Sequence, residues 1–281
     1  MKLDIVINKY LLMWHLLYQS SVSHDIHTLK QQLWGDYKKE YSAIYKEKGI
    51  ILNDLDNYIP DDDLIFNLVE NSPFYKKIKQ ETARYRITLQ EIWDKSKKDY
   101  LSEMDDILKF NFNGDYTIVT LHPNLDVIEE DFKNNIISIG KKINFRDKDN
   151  FLTFVIYKIM ESEFVRMRYL EKDIVEAVLE LAILNELYTR ISKDSKYNLG
   201  KPSLRDVKNK IYPYFLMYLG VNEEDMEKYM IRDNMFFNVS EFTYERKLKH
   251  FDIFSFVDFL VKKKRPILKK KTITAEEIEI L

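Results

Sequence analysis

The chain has 281 residues, of which 45% are hydrophobic and 14% aromatic, so it has enough apolar side chains for a large folded core. Its 44 Lys and Arg residues nearly balance its 46 Asp and Glu residues, which excludes a global charge that would attract nucleic acid or an anionic membrane. The absence of cysteine excludes disulfides, thiolate metal sites and a cysteine nucleophile. Only six glycines and six prolines are present, and this scarcity of turn-forming residues predicts a mainly α-helical fold.

The first part of the chain is predicted to be helical. Apolar residues at helical spacing predict a helix over residues 3–19 and a more polar helix over residues 25–48. The segment IPDDD then combines a stop signal with an N-cap, and helices resume on both sides of Pro73. Over residues 86–110 apolar side chains recur at steps of three and four, which predicts a long amphipathic helix.

The pattern changes near residue 112. The segment NGDYTIVTLHP, 113–123, begins with a turn dipeptide and is rich in β-branched residues, which predicts a strand. The segment NNIISIGKKINF, 134–145, predicts a second, short strand. We therefore expect an α+β protein that is mainly α, with a sheet of two or three strands. The same change predicts two regions, a helical one over residues 1–112 and a second one over residues 113–281.

Two apolar helices are predicted directly after the strands. The first, FLTFVIYKIMESEFVRMRY, covers residues 151–169, and the second, DIVEAVLELAILNELYTRI, covers residues 173–191. A helix that is apolar around most of its circumference is usually central in a domain. Both helices nevertheless carry charges, which are Lys158 and Glu161 on the first and Asp173, Glu176 and Glu180 on the second. The three acids of the second helix share one narrow face.

The order of these elements resembles that of the zincin metallopeptidases, which have a long helix, strands, a central helix and a second helix that bears glutamates. In that family the central helix carries H-E-x-x-H, in which two histidines bind zinc and the glutamate is the general base. In the branch with a glutamate ligand, the next helix supplies the third zinc ligand. The best register places YKIME, residues 157–161, at this motif and Glu176 at the third-ligand position, with Glu180 one turn further on. The resemblance covers residues 86–191.

The YKIME segment departs from the family motif at each functional position. Tyr157 replaces the first histidine, Lys158 replaces the general base, and Glu161 replaces the second histidine. A lysine ammonium cannot act as the usual base and competes with a metal cation, so we expect the ammonium of Lys158 to replace zinc as the counter-charge for the acids. Lys158 is expected to pair with Glu161 or with the carboxylates of the next helix. This interpretation implies that neither zinc nor another cofactor is bound.

Other interpretations of Lys158, Glu161, Glu176 and Glu180 remain open. The first is that these four residues form a structural ion-pair cluster. The second is a relic active site that now serves as a binding groove, and the third is a working metal or acid–base site. No histidine lies in either helix, and no two of the five histidines in the chain are spaced i, i+4. This distribution disfavours the working site.

A basic run lies near the C-terminal end of the sequence, next to the aromatic segment FDIFSFVDFLV. Its seven basic residues are Lys262, Lys263, Lys264, Arg265, Lys269, Lys270 and Lys271. Such a run is suited to contact with a phosphate backbone or a membrane surface. The plainer interpretation is a solvated run that the following acidic segment, TITAEEIEIL, partly neutralises.

The leading hypothesis is a non-catalytic relative of zincin peptidases, a pseudo-peptidase, that binds a protein or peptide partner. One alternative is a helical interaction module of unrelated fold. Another is a metal-dependent peptidase whose site uses Glu161, Glu176, Glu180 and a distant histidine. A nucleic-acid binder acting through residues 262–271 is not expected, because the overall charge is balanced.

The sequence also predicts where the protein resides. No window reaches the roughly 18 uninterrupted apolar residues of a membrane span. Asp4, Asn8 and Lys9 interrupt the N-terminal apolar run, and no small-residue cleavage site follows it. Together with the lack of cysteine, these features predict a cytoplasmic protein. The sequence contains no signal for a particular oligomeric state.

Overall fold

The protein is mainly helical with one small mixed sheet, which confirms the predicted fold class. The computed structural model describes residues 1–19, 24–60, 63–110, 114–141, 148–168, 171–192, 200–233 and 242–269. The helices before the second strand are α1 (Lys9–Tyr18), α2 (His24–Asp36), α3 (Lys38–Ala43), α4 (Glu47–Asn53), α5 (Leu64–Asn71) and α6 (Pro73–Leu108). The later helices are α7 (Lys148–Arg166), α8 (Lys172–Leu179), α9 (Tyr188–Ser192), α10 (Arg205–Leu219), α11 (Met226–Asp233), α12 (Ile253–Lys262) and α13 (Lys264–Leu268).

The sheet has four described strands in the order β1-β2-β4-β3. They are β1 (Lys2–Val6), β2 (Asp115–Thr120), β3 (Val127–Asp131) and β4 (Ile136–Gly140). Strands β1, β2 and β4 are parallel, whereas β3 is antiparallel to β4. The sequence correctly predicted β2 and β4, but the expectation of two or three strands was too low because β1 and β3 were missed.

The chain begins with a strand, so the prediction of one helix over residues 3–19 was wrong. In β1 the side chains of Leu3 and Ile5 are buried and those of Lys2 and Asp4 are exposed, which is the two-residue period of a strand. Helix α1 begins only at Lys9. Asn8 is the N-cap of this helix, because its side-chain oxygen accepts a hydrogen bond from the Leu11 N–H at 2.8 Å.

The predicted N-cap in IPDDD is Asp63. Its Oδ1 accepts hydrogen bonds from the N–H groups of Ile65 at 2.9 Å and Phe66 at 3.2 Å, and α5 begins at the next residue, Leu64. An N-cap of this kind stabilises a helix by about 1 kcal/mol. The helix start that the sequence indicates at this point is therefore confirmed, whereas the preceding helix, α4, ends earlier, at Asn53.

The chain folds into two compact units, which do not follow the predicted division at residue 112. The first unit comprises residues 1–98 and 112–152, and the second comprises residues 99–111 and 153–281. The sheet explains the difference, because β1 pairs with β2 and so joins the sheet to the N-terminal helices. A strand from the start of the chain could not be recognised by the change of pattern at residue 112.

Helix α1 lies in the core of the first unit. Its residues Leu11, Leu12 and Met13 are fully buried and belong to one apolar cluster with residues of the sheet, among them Val119 and Ile136. Burial of each such side chain stabilises the fold by roughly 1.5–3 kcal/mol. The N-terminal helices and the sheet therefore depend on one shared core.

Helix α8 is the central element of the second unit. It continues through a π-helical segment, Glu180–Leu187, into α9, so the helix predicted over residues 173–191 is present with a wider middle section. Helices α10 and α12 pack against α8. Side chains of the π-helical segment such as Leu181 are fully buried, as expected for a central helix.

Candidate functional site

The carboxylate of Glu180 is engaged by a buried lysine. Glu180 is the first residue of the π-helical segment, and the Nζ of Lys208, on α10, lies 2.7 Å from its Oε2. Only 2% of either side chain is exposed. Removing a carboxylate from water without a partner costs several kcal/mol, so the ammonium of Lys208 is the counter-charge that makes the burial of Glu180 possible.

The backbone at residues 200 and 201 holds the same carboxylate. The N–H of Lys201 donates to both oxygens of Glu180, at 3.1 and 3.3 Å. Gly200 has a φ of +62°, and a Cβ at that position would overlap the Glu180 carboxylate. Glycine is therefore required at position 200, both for its left-handed backbone and for the close approach to Glu180.

Glu176 lies one turn before Glu180 and pairs with other lysines. Its Oε2 is 2.5 Å from the Nζ of Lys201, and its Oε1 is 3.6 Å from the Nζ of Lys172. The Glu176 side chain is 10% exposed, so this pair lies nearer to solvent than the Glu180–Lys208 pair. Glu176, Glu180, Lys201 and Lys208 together form what we call the glutamate–lysine cluster, which attaches the segment before α10, and α10 itself, to α8.

The predicted site residues on α7 form a separate ion pair. The Nζ of Lys158 lies 2.8 Å from the Oε2 of Glu161, with 20% and 17% of the two side chains exposed. The same ammonium lies 5.6 Å from the ring centre of Phe154 and 5.8 Å from that of Tyr157, which is buried. Lys158 thus takes the first of its two expected partners. The carboxylates of Glu176 and Glu180 are bound instead by Lys201 and Lys208.

Lys208 was missed by the sequence analysis although the pattern around it contains a signal. Leu204, Lys208, Ile211 and Phe215 follow one another at steps of four, three and four, and all four are buried. A lysine on the apolar face of a helix needs a buried carboxylate as partner. The glutamates of the preceding apolar helix were the available candidates.

The residues at the family's zinc-binding positions do not fit zinc. Glu161 is paired with Lys158, and Glu176, at the third-ligand position, is paired with Lys201 and Lys172, so a cation would first have to displace these ammonium groups. Within the part of the chain that the structure describes, no group of three or more His, Asp or Glu side chains is arranged to hold a metal ion. Lys158 is bonded to Glu161 and has no basic lone pair while it is charged.

His122, which lies within the stretch that resembles zincins, is bound to residues of the first unit. It lies in the first unit, is 2% exposed, and has its Nε2 2.8 Å from the Oε2 of Glu81. Its Nδ1 accepts a hydrogen bond from the Asn124 N–H at 3.2 Å, so Nε2 carries the hydrogen and donates to Glu81. Both ring nitrogens therefore have structural partners at the end of β2.

The basic run is partly neutralised by acids of the second unit. Lys263 lies 2.9 Å from Glu245, and Lys264 lies 2.5 Å from Glu171. Burial alone would raise the pKa of Glu245, but its hydrogen bonds with Lys263 and Lys247 outweigh this effect and lower the pKa. Of the remaining predicted contact residues, Lys262, Arg265 and Lys269 are exposed, whereas Lys270 and Lys271 lie outside the described residues.

No family model, curated protein or solved structure matches this chain. Among the helices that the structure describes, none combines the length and the apolar character needed to cross a membrane.

Proposed function

We propose that the protein is a non-catalytic relative of the zincin peptidases that binds a protein or peptide partner and no metal cofactor. The order of elements supports this proposal. The long helix α6 is followed by β2, β3 and β4, then by α7, which carries YKIME, and then by α8 with Glu176. This is the order on which the resemblance to zincins is based.

The Glu180–Lys208 pair is the observation that carries the non-catalytic part of the proposal. In a working zincin, the glutamates of this helix face a cation that must remain accessible to substrate. Here the carboxylate of Glu180 is 2% exposed and is saturated by an ammonium and a backbone N–H. The counter-charges for the glutamates of this helix are the ammonium groups of Lys201 and Lys208, not that of Lys158, and the cluster serves to hold α10 on α8.

Exposed aromatic side chains support the binding part of the proposal. In the first unit 46% of Trp34 and 63% of Tyr45 are exposed to solvent. The ring centre of Trp34 lies 5.4 Å from that of Tyr41, and the ring centre of Tyr18 lies 5.2 Å from those of both Tyr41 and Tyr45. The two exposed rings therefore pack against the buried Tyr41 and the partly buried Tyr18. Rigid, partly exposed Trp and Tyr side chains are the residues that most often anchor protein–protein contacts.

The proposed location is the cytoplasm. A chain without cysteine forms no disulfides and so gains nothing from an oxidising compartment. Fractionation of the native host cell tests this part of the proposal by itself.

The decisive experiment is metal analysis of the protein purified without a histidine tag, combined with a peptidase assay on a mixed peptide library. We expect far less than one zinc per chain and no cleavage. Glu176→Gln serves as the control for any cleavage that is found, because it removes the charge at the third-ligand position, keeps the size of the side chain and leaves the buried Glu180–Lys208 pair intact. One zinc per chain, or cleavage that Glu176→Gln abolishes, would overturn the proposal.

A further inference from the structure

A pocket in the second unit is lined by positive and negative side chains. It has a volume of about 470 Å³ and lies between the C-terminal end of α10 and a short 3₁₀ helix, Arg246–His250. Its lining includes Met217, Gly220, Glu223, Glu224, Arg246 and Lys249. None of them belongs to the glutamate–lysine cluster, and the volume lies within the roughly 300–1,000 Å³ of ligand pockets.

Two cations point into this pocket from one face of the 3₁₀ helix. Arg246 and Lys249 are three positions apart, and a 3₁₀ helix has three residues per turn, so their side chains lie one above the other. Both are exposed, and neither forms an ion pair with any residue that the structure describes. Lys247, on another face of the same helix, differs because it is 3.3 Å from Glu245 and does not line the pocket.

The 3₁₀ helix is held firmly in place. The carbonyl oxygen of Lys249 accepts a hydrogen bond from the Nζ of Lys109 at 3.1 Å. At the other end, the N–H of Glu245 donates to the Sδ of Met217 at 3.0 Å. Leu248 is fully buried. The two free cations are therefore presented by a rigid support, which reduces the entropy lost when a ligand binds.

Acidic residues from a separate element complete the lining. Glu223 and Glu224 begin a 3₁₀ turn, Glu223–Asp225, and both are exposed. Between these charged groups, Met217 and Gly220 supply an uncharged surface at the end of α10. The pocket therefore presents two positive and two negative side chains around an uncharged centre.

We propose that this pocket binds a peptide segment that carries one acidic and one basic side chain a few residues apart. This inference rests on the proposed function, since it names the peptide class that the protein recognises. The acidic side chain of the peptide binds Arg246 and Lys249, for which the planar guanidinium is well suited to a carboxylate. Its basic side chain binds Glu223 and Glu224. A peptide of a single charge sign meets repulsion from one of the two pairs, so the pocket selects mixed charge.

The test is fluorescence anisotropy with the full chain and three fluorescein-labelled hexapeptides. One peptide contains a Glu and a Lys three positions apart, the second contains two Glu, and the third contains two Lys. We expect the mixed peptide to bind most tightly. The double variant Arg246→Ala/Lys249→Ala is expected to weaken its binding by roughly tenfold or more, because both contacts to the acidic side chain are lost. Lys247→Ala is the control for loss of a positive charge on the same helix outside the pocket, and is expected to change the affinity by less than about twofold.

Charge reversal provides a second and independent measurement. The double variant Glu223→Lys/Glu224→Lys should move the preference from the mixed peptide to the peptide with two Glu. Equal affinities for the three peptides, absence of binding, or an equal loss in Lys247→Ala and in the Arg246/Lys249 variant would each overturn the inference. If these binding tests fail but the protein is free of metal and inactive, only the inference about the pocket is rejected. One zinc per chain would reject the proposed function, whatever the result of the peptide-binding measurements.

Discussion

The ammonium of Lys208 lies 2.7 Å from the Oε2 of Glu180, and only 2% of either side chain is exposed to solvent. These residues lie 28 positions apart and join α10 to the rod formed by α8, the π-helical segment and α9. A buried ion pair contributes little net stability compared with apolar side chains of the same size, but loss of one partner leaves an uncompensated charge in the core. A single substitution should therefore lower the free energy of unfolding much more than the double substitution, and this difference tests whether the pair is buried as the structure shows.

Substitution of Lys208 should have a large effect on stability. We expect Lys208→Ala to lower the free energy of unfolding by about 3–5 kcal/mol, because Glu180 then remains charged and unpaired in the core. The double variant Glu180→Gln/Lys208→Met should lose much less, since neither group is then charged. Urea unfolding at pH 7 measures both. Lys201→Ala is the matched control, with its side chain 53% exposed, and should cost no more than about 1 kcal/mol. Equal losses in the two lysine variants would contradict burial of the Glu180–Lys208 pair.

A glycine substitution tests the close approach of the backbone to Glu180. Gly200 and Gly220 both have positive φ, at +62° and +94°, but only Gly200 has neighbouring atoms in the space that a Cβ would take. Gly220→Ala should therefore cost about 1 kcal/mol for the left-handed backbone alone. Gly200→Ala should cost about 1–3 kcal/mol more, because Glu180 must also move. Thermal and urea unfolding of the two variants decide the point, and a Gly200→Ala variant as stable as Gly220→Ala would show that the carboxylate is not held against this backbone.

The sequence specifies some of these features locally and others only through contacts between distant residues. Strand β4 was predicted because IISIG is a short run of β-branched residues, and Asp63 because an N-cap acts on the residues that follow it directly. Strand β3, VIEED, is acidic, and its hydrogen bonds come from β4. Its existence depends on a partner strand, which local propensity does not encode.

The candidate site shows the same division. The pairing of Lys158 with Glu161 is a contact within one helix, at i and i+3, and the spacing alone was enough to predict it as one of two options. The partners of Glu176 and Glu180 come from a segment that follows in the chain, and the choice of Lys208 over Lys158 depends on how α10 packs against α8. Spacing on α7 contains no information about that packing.

A buried histidine in the first unit should make stability depend on pH. His15 is fully buried, and neither ring nitrogen has a hydrogen-bond partner among the residues that the structure describes. Burial, with a smaller contribution from the Lys48 ammonium, lowers the pKa of His15 to about 3. The Oε2 of Glu129 is 3.9 Å from the ring, but Lys48 binds this same oxygen and so neutralises the charge that would favour a protonated imidazole.

The direction of this dependence follows from the lowered pKa. Between pH 6.5 and about 3 the unfolded chain binds a proton at His15 and the folded protein does not, so stability present above pH 6.5 is lost as the pH falls. The expected loss approaches about 1.4 kcal/mol per pH unit below pH 6. Urea unfolding of the wild type and of His15→Phe at pH 7, 6 and 5 measures it, and the variant should lose most of this slope. The same slope in both proteins would mean that His15 is protonated in the folded state.

Binding to duplex DNA tests how much of the basic run is free. In a plot of the logarithm of the binding constant against the logarithm of the salt concentration, each phosphate contact contributes about −0.9 to the slope. If all seven cations contacted phosphates, the slope would be about −6. Since Lys263 and Lys264 are bound by Glu245 and Glu171, we expect weak binding with a slope shallower than about −5. Glu171→Gln/Glu245→Gln should steepen the slope by up to about 3, as Lys263, Lys264 and Lys247 become free. Asp225→Asn, which frees Lys228 elsewhere in the second unit, is the control and should leave the slope unchanged. A slope near −6 in the wild type would show that these ion pairs do not restrain the run, and it would favour the nucleic-acid-binding alternative.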